Sequence, residues 1–552
     1  MSDDSLTPPV TDVQPAADAT SSAAPGPAPG PAVPPRRALV LGLGESGLAM
    51  ARWLAREGWQ LRVADTRTQP PMLEALQAHL PQAEFVGADF VAALLEGVAL
   101  LALSPGLSPR AAPLAALLAQ ARERGLPVVG EIELFAQALA ALRVSQSYAP
   151  QVAGITGTNG KTTTVRLLGS MIARSGARCR VAGNISPSAL DALREDLDAG
   201  QLPAFWVLEL SSFQLATTQS LACTAATVLN LTQDHLDWHG DLDDYRRAKQ
   251  RIFAPTTLRI LNRDDPLAQP EPAAKAPLLP DVSFGQGAPS LAGQFGLVRE
   301  AGIIWLAATE PAQPVRSRRR GPAPGTVVAP APDEDPVPVQ RLMPVDALGL
   351  RGTHNALNAL AALALARALG VPMAPALRAL AEFAGEPHRT QTVAQVAGVD
   401  YIDDSKGTNV GATVAALQGL SGGAGTAPRL LVILGGEGKG QDFAPLAAAV
   451  ASHARAVLLI GRDAGRIADA LQGVEVPVQT CPSLEAAVQQ AALLARPGDA
   501  VLLSPACASF DAFHNYAHRA QVFIDAVHVL AARAAEPPAA AGGPGTSDGA
   551  GA

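Results

Sequence analysis

From Val152 onward an apolar, strand-like approach passes through Gly154-Ile155-Thr156-Gly157-Thr158-Asn159-Gly160-Lys161-Thr162-Thr163-Thr164. It then opens into a helical pattern of Val165, Leu167, Leu168, Met171 and Ile172. Strand, glycine-rich turn, Lys-Thr and helix together predict an α/β unit that cradles a nucleoside triphosphate. Backbone N–H groups at the helix start face the phosphates, Lys161 supplies a cation, and the Thr162 hydroxyl offers Mg²⁺ a hard oxygen. The candidate phosphate contacts are Gly157, Thr158, Asn159, Gly160, Lys161, Thr162 and Thr163. The Walker pattern needs about four residues between the first glycine and Gly-Lys. Gly154 stands one residue too far and Gly157 two too close, so this is a variant loop.

Short Val/Leu/Ile runs alternate with Ala/Leu-rich helical stretches along most of the chain. Expected strands include Ala38–Leu43, Leu61–Asp65, Val98–Leu103, Phe205–Glu209, Ala226–Asn230, Leu430–Leu434, Ala456–Ile460 and Ala500–Leu503. Such alternation argues for parallel sheets covered by helices. Three sets separate: 37–145, 146–385 around the phosphate loop, and 386–535. Residues 1–36 and 536–552, rich in Pro, Ala, Gly and Ser, bury too little to offset ordering entropy and read as disordered tails. Arg316–Gln340, with Arg318-Arg319-Arg320 and then Asp333-Glu334-Asp335, reads as a solvated loop insertion.

A net charge of −8 argues against nucleic acid or an anionic membrane as the main partner. No apolar run reaches membrane-spanning length; Ala356–Leu369 is broken by Asn358 and Arg367. The N-terminus carries Asp3 and Asp4 and lacks the apolar core of a signal peptide. Cys179, Cys223, Cys481 and Cys507 have no paired or zinc-like spacing, so a reduced, cytoplasmic protein is expected.

The first set opens with Gly42-Leu43-Gly44-Glu45-Ser46-Gly47, a G-x-G-x-x-G between strand and helix, and Asp65 ends the next strand. That pattern admits a pyrophosphate at a helix N-terminus and sends an acid to a ribose or base. An NAD reading is open, but nothing downstream resembles a hydride-transfer site. Ser104-Pro105-Gly106 follows another strand, where such sheets place ligand contacts.

In the middle set, Glu209 ends a strand near the phosphate loop, the usual position for a Mg²⁺ carboxylate. Asp234, His235 and Asp237 cluster beyond a second strand. Lys249, by pattern alone, reads as an exposed helix lysine pairing with Asp243 or Asp244. Asn355 and Asn358 share one face of an Ala/Leu helix, suited to a nucleotide contact or, for Asn355, to capping.

Taken in order, Gly154–Thr164, Leu208–Phe213, Asp234-His235, Tyr245–Lys249 and Gly352–Ala359 resemble the Mur ligase family, the ATP-dependent amide-forming enzymes of peptidoglycan synthesis. The resemblance covers about 37–535. Gly183-Asn184-Ile185, Pro387-His388-Arg389, Asp403–Asn409 and Ser504–Ser509 resemble the branch that adds D-glutamate. It implies three domains: a Rossmann-like UDP-binding domain, a central P-loop-type ATPase domain and a Rossmann-like amino-acid domain. The implied partners are UDP-N-acetylmuramoyl-L-alanine, D-glutamate and ATP, and a monomer is expected. Gly44, Glu45, Ser46, Gly47, Asp65, Thr66, Arg67, Ser104 and Gly106 are implied to hold the UDP part, with Asn184 and His235 nearer the muramoyl-alanine end. Asn355, Asn358, Arg389 and Asp404 are implied at the ATP. Thr162, Glu209, His235 and Lys249 are implied around two Mg²⁺ ions, with Lys249 carrying a CO₂-derived carbamate. That role requires a buried, neutral amine and replaces the surface-lysine reading. Lys161, His235, Lys249 and Glu209 make up the implied catalytic set. Lys406, Thr408, Lys439, Ser509, Phe510 and Tyr516 are implied at D-glutamate, with Tyr516 standing where the family pattern has Phe. Other readings remain open here: an L-alanine- or diaminopimelate-adding ligase of the same family, or a non-catalytic nucleotide-binding regulator.

Overall fold

Runs of branched aliphatic residues become strands buried on both faces where helices cover a parallel sheet. Leu430–Gly435 is one, buried at every position. The computed structural model describes residues 36–271, 279–310, 337–420 and 429–535. They build three α/β domains, each around its own sheet. Both tails and most of the 316–340 segment lie outside the described residues. Val339 and Gln340, expected to be loop, instead open the strand Val339–Pro344.

The first sheet is wholly parallel, in the order Glu84–Gly87, Gln60–Asp65, Arg37–Leu41, Val98–Leu103, Val128–Val129. Strand order reverses between Arg37–Leu41 and Val98–Leu103. The crevice beyond their carboxyl ends is where such sheets hold ligands. Gly42–Gly47 and Ser104–Gly106 sit there, and the Ser104 hydroxyl donates to the Gly42 carbonyl at 2.8 Å.

The second sheet repeats this logic. Its parallel part runs Cys179–Gly183, Phe205–Glu209, Gln151–Thr156, Ala225–Val228, Leu258–Asn262, Val282–Phe284. Phe205–Glu209 and Ala225–Val228 flank Gln151–Thr156, so the phosphate loop, Glu209 and the Asn230–His235 segment emerge side by side. Beyond Gln294–Glu300 the sheet turns antiparallel through Ile303–Thr309 and Val339–Pro344, an extension that the alternating pattern does not foreshadow. Behind the loop, the helix Thr353–Ala368 is buried along nearly its whole length, because its Ala and Leu residues let it pack on several sides at once.

The third sheet runs Gln391–Val396, Val399–Asp403, Ala500–Leu503, Leu430–Gly435, Ala454–Ile460, Val478–Thr480, antiparallel only at its first pair. Asp403, Ser504 and Gly436 gather at its carboxyl end.

Two seams hold the domains in place. Buried Glu131 heads the helix Glu131–Gln146 and accepts from the Leu190 N–H at 2.8 Å and the Gln214 amide at 3.4 Å. Burial pushes its carboxyl up to about 7 against those bonds. At the other seam, Asn159 of the phosphate loop exchanges amide hydrogen bonds with Asn409 at 3.0 and 3.1 Å.

Gly47 shows how tight the first turn is: a Cβ there would lie 2.0 Å from the Gly42 carbonyl oxygen, which is backbone and cannot swing aside. Gly47→Ala is expected to destabilise the first domain by about 2 kcal/mol or more, read as an earlier first transition in urea unfolding.

Candidate active site

The helix Lys161–Arg174 begins at Gly160 with no side-chain cap and no acidic residue in its first turn. Its first N–H groups are therefore left for an anion. Gly160 sits at φ +83°, and a Cβ on it would meet the Asn358 Oδ1 at 2.3 Å. Asn358 in turn donates to Asn355 Oδ1 at 3.2 Å, and Asn355 donates to the Arg351 carbonyl at 2.8 Å. The expectation that Asn355 caps its helix is corrected: Gly352 holds the N-cap position, and Asn355 instead supports Asn358, which backs the phosphate turn. Lys161 Nζ lies over the loop, donating to the Gly157 and Thr158 carbonyls at 2.9 and 2.8 Å. Burial lowers its pKa, opposed by the charges of Glu209 and Asp234.

Glu209 is 2% exposed. One carboxylate oxygen accepts from Asn184 Nδ2 at 3.0 Å, while Oε2 is buried with no hydrogen-bond partner. Lys249, read from pattern as a surface residue, is 2% exposed. It faces inward because its helix Leu242–Gln250 buries Tyr245, Ala248 and Lys249 on one side. Its Nζ donates to the Gly157 carbonyl at 2.9 Å and Thr156 Oγ1 at 3.3 Å, and lies 4.6 Å from the Tyr245 ring centroid. Asp244 pairs with Arg110 and Arg247 instead. Burial, reinforced by the charge of Lys161, holds the Lys249 pKa well below the ordinary lysine value.

His235 adopts φ +54° ahead of the short helix Leu236–His239. Its Nε2 lies 3.6 Å from Asp234 Oδ2, and its ring meets Phe213 edge-on at 4.7 Å. Burial lowers its pKa against the pull of Asp234. The first domain approaches this segment: Ser108 Oγ donates to the Trp238 carbonyl at 3.1 Å.

From the third domain, Arg389 Nη2 donates to Thr162 Oγ1 at 2.8 Å. Beside that contact a cavity of about 490 Å³ is lined by Gly160, Thr163, Asn355, Asn358, Arg389 and Asp404, among others. The structure thus brings together every residue expected around ATP outside the loop. Asp404 is buried, accepting from Ser504 Oγ at 2.7 Å and the Thr390 N–H at 3.2 Å. Burial pushes its carboxyl up to about 7 despite Ser504 and Arg389.

The residues expected around the amino acid are less uniform. Lys406 Nζ lies 3.7 Å from the Tyr516 ring centroid, so the departure from Phe keeps an aromatic face for the cation. Thr408 follows on the same loop and is half-buried. Ser509 is 2% exposed, Lys439 takes φ +50°, and Phe510 is 68% exposed. In the first domain, Asp65 accepts from the Leu43 N–H at 2.8 Å and from Arg67 at 2.8–2.9 Å, while Thr66 is exposed. Gly44 and Gly106 have open space where a Cβ would go, and Glu45 and Ser46 start the helix beside them.

Sequence reasoning gave no role to Asn230, which grips both the N–H (2.8 Å) and carbonyl (3.1 Å) of Asn159. Asn409 was quoted only as part of a motif, and it also reaches Asp234 Oδ2 at 3.4 Å. An Asn two residues beyond the buried strand Ala225–Val228 and facing a glycine loop is the signal that could have found Asn230. Asn409 had none, since its partner lies 250 residues away.

Three family models match: Mur ligase MurD-like, N-terminal domain, over 36–130; Mur ligase middle domain over 155–296; and Mur ligase, glutamate ligase domain, over 388–507. The chain is 58% identical over 499 residues to the UDP-N-acetylmuramoylalanine--D-glutamate ligase of Ralstonia nicotianae, covering 90% of this chain and 97% of that one. It is also 58% identical over 505 residues to the same-named ligase of Burkholderia pseudomallei, covering 89% and 97%. Two solved structures share the fold. MurF ligase from Thermotoga maritima in complex with ADP has TM-score 0.52 at 15% identity, over 90% and 98% of the two chains. UDP-N-acetylmuramate-alanine ligase MurC from the same organism has TM-score 0.51 at 17% identity, over 89% and 99%.

Burial alone would raise the pKa of Asp65, but Arg67 and the Leu43 N–H outweigh it and hold the carboxyl at about 2, from 3.8. A depressed carboxyl stabilises the fold above the unfolded value and ceases to as pH falls through the folded one. Asp65→Asn is expected to cost about 2 kcal/mol at neutral pH. In urea titrations that difference should shrink between pH 3.8 and about 2.

Proposed function

The chain belongs to the Mur ligase family, and we infer that it joins D-glutamate to UDP-N-acetylmuramoyl-L-alanine at the expense of ATP, in peptidoglycan precursor synthesis. The observation that carries this reading is the joint at the phosphate loop. There Arg389 of the third domain bonds Thr162 and Asn409 bonds Asn159, so an amino-acid domain is seated directly against the triphosphate cradle.

An oxygen of the L-alanyl carboxylate attacks the γ-phosphorus of ATP, and ADP leaves with the electrons of the broken P–O bond. The acyl phosphate so formed is attacked at its carbonyl carbon by the D-glutamate amine, and inorganic phosphate departs. Lys161 serves the first step by exchanging the loop carbonyls for phosphate oxygens, and the N–H groups at the Gly160 helix start act with it. Both stabilise charge that builds on the transferring group. The Arg389 guanidinium, beside Thr162, adds a further positive charge.

The family uses Mg²⁺, and the residues fit it. Glu209 Oε2 is a buried oxygen with no partner, Thr162 offers a hydroxyl nearby, and magnesium takes hard oxygen ligands with phosphates completing the set. Among the described residues no group of three or more His, Cys, Asp or Glu could hold a metal alone. When bound, Mg²⁺ neutralises the phosphate charge. His235, a nitrogen donor leaning on Asp234, suits substrate orientation better than ligation of a hard ion.

Lys249 supports a carbamate. Its amine is buried, deprived of an ion pair among the described residues, and held below its ordinary pKa. The neutral amine's lone pair is thereby available to bond CO₂ carbon, with loss of a proton. The carbamate oxygens would become a further hard-oxygen donor set beside Glu209. Lys406 and Lys439, with the hydroxyls of Thr408 and Ser509, match an amino acid bearing two carboxylates. Asp65, Arg67 and the Gly44–Gly47 turn form the corresponding UDP cradle. We assign the enzyme to the cytoplasm: all four cysteines are free thiols, as a reducing compartment keeps them. Among the described residues no helix is long and apolar enough to cross a membrane.

Two measurements test the reading. Phosphate release should require UDP-N-acetylmuramoyl-L-alanine and D-glutamate together; release with another amino acid in a panel, and none with D-glutamate, overturns the assignment. Lys249→Ala should lose at least ~100-fold in rate and regain activity with short carboxylic acids. Full activity without added acid would rule out the carbamate.

A further inference from the structure

The segment His388-Arg389-Thr390 holds two non-glycine residues at positive φ, +64° at His388 and +48° at Thr390. Strain of this kind persists only where the surroundings enforce it, and it gathers at working sites. Its effect here is to send adjacent side chains to different tasks. Arg389 reaches Thr162 of the ATP loop. His388 turns the other way, and its Nδ1 lies 2.7 Å from Asp403 Oδ2.

Asp403 has no exposed surface, and its other oxygen accepts from the Ser405 N–H at 2.9 Å and Ser405 Oγ at 2.6 Å. The carboxylate is thereby fixed, and it selects the tautomer in which Nδ1 carries the proton and Nε2 has a free lone pair. The imidazole is 22% exposed and meets the Tyr516 ring edge-on at 6.2 Å. The same ring carries Lys406 Nζ, 3.7 Å from its centroid. The charged and titratable groups around the dyad are Asp403 and Asp404 on one side, Tyr516 and Lys406 on another, Arg389 next in the chain, and Arg519, which holds the Ser405 carbonyl. Nothing in the mechanism above uses the dyad, yet amide formation leaves one task unassigned. D-glutamate arrives as an ammonium ion, which has no lone pair to attack with.

We propose that His388, oriented by Asp403, takes the proton from the D-glutamate ammonium and so makes the nucleophile for the second half-reaction. This rests on the ligase reading given above. In the step, an N–H bond of the ammonium breaks and its electron pair stays on nitrogen, while the proton bonds Nε2 and Nδ1–H remains directed at Asp403. The freed pair then forms the C–N bond as phosphate leaves with the C–O electrons, and the departing phosphate takes the second proton that the new amide nitrogen sheds. The transfer moves the positive charge onto an imidazole whose Nδ1 lies 2.7 Å from the Asp403 carboxylate, which stabilises it there.

The test separates the two half-reactions in His388→Asn. The asparagine amide nitrogen stands close to where Nδ1 was, so the bond to Asp403 is kept while the proton acceptor is lost. Hydroxylamine, already neutral at neutral pH, replaces D-glutamate as nucleophile and reports acyl phosphate as hydroxamate. The variant is expected to form hydroxamate within a few-fold of the parent while amide formation with D-glutamate falls about 100-fold or more. Its kcat/KM for D-glutamate should also depend more steeply on pH than the parent's and keep rising toward the amine's own pKa, because only the free-amine fraction of the substrate can then attack. Amide formation within a few-fold of the parent overturns the proposal, as does an equal fall in hydroxamate, which would make the dyad structural. Absence of hydroxamate from the parent enzyme, with UDP-N-acetylmuramoyl-L-alanine and ATP present, instead sinks the ligase reading on which the proposal rests.

Discussion

The turn from Gly157 to Thr162 is the point on which the molecule is organised, because four of its residues are held by side chains from at least four different segments of the chain. Thr158 Oγ1 meets the Tyr245 hydroxyl at 3.1 Å, Asn159 is gripped by Asn230 and Asn409, Gly160 is backed by Asn358, and Thr162 is touched by Arg389. A glycine-rich turn has high backbone entropy when free. These neighbours fix it in advance, so the phosphate-facing N–H groups are preorganised instead of being ordered by the nucleotide. Two of the contacts come from the third domain, which means the ATP site is complete only when that domain is seated.

The same arrangement concentrates unfavourable electrostatics. Lys161 and Lys249 both donate to the Gly157 carbonyl, so two amines converge on one backbone oxygen. Lys249 does so in a buried environment with only a carbonyl, a hydroxyl and an aromatic face around it. An uncompensated buried ammonium is expensive, and a fold tolerates one where its chemistry needs a perturbed group. Glu209, with its orphan oxygen, is the complementary case. Anionic phosphates and a divalent cation resolve both deficits at once, so the site's imbalance and its ligands have the same explanation.

Much of this was legible in the sequence, for reasons that differ by residue. The phosphate loop and Glu209 are fixed by local order: a strand, its tip and the following helix lie close in the chain, and period and glycine placement report them directly. The three sheets followed from alternation, although the antiparallel strands Ile303–Thr309 and Val339–Pro344 did not. Their pattern is that of any short apolar run, and only the neighbouring edge decides their direction. Lys249 was misread because Asp243 and Asp244, six and five residues before it on the same helix, suggest a solvated pair. Its burial depends on Thr156 and Gly157, 93 and 92 residues earlier in the chain, and family resemblance supplied what pattern could not. Asn409 and the His388–Asp403 pair are tertiary in the same sense. Their chemistry exists only after the third sheet has brought its strand ends to the loop.

The central claim is that the loop spends ATP on activating a carboxylate, with the third domain supplying the nucleophile. The direct test is to label the L-alanyl carboxylate of UDP-N-acetylmuramoyl-L-alanine with ¹⁸O, run the reaction with ATP and D-glutamate, and examine the released phosphate by mass spectrometry. The account predicts transfer of one labelled oxygen from the carboxylate to each inorganic phosphate. Unlabelled phosphate, or release of pyrophosphate with AMP, would contradict it.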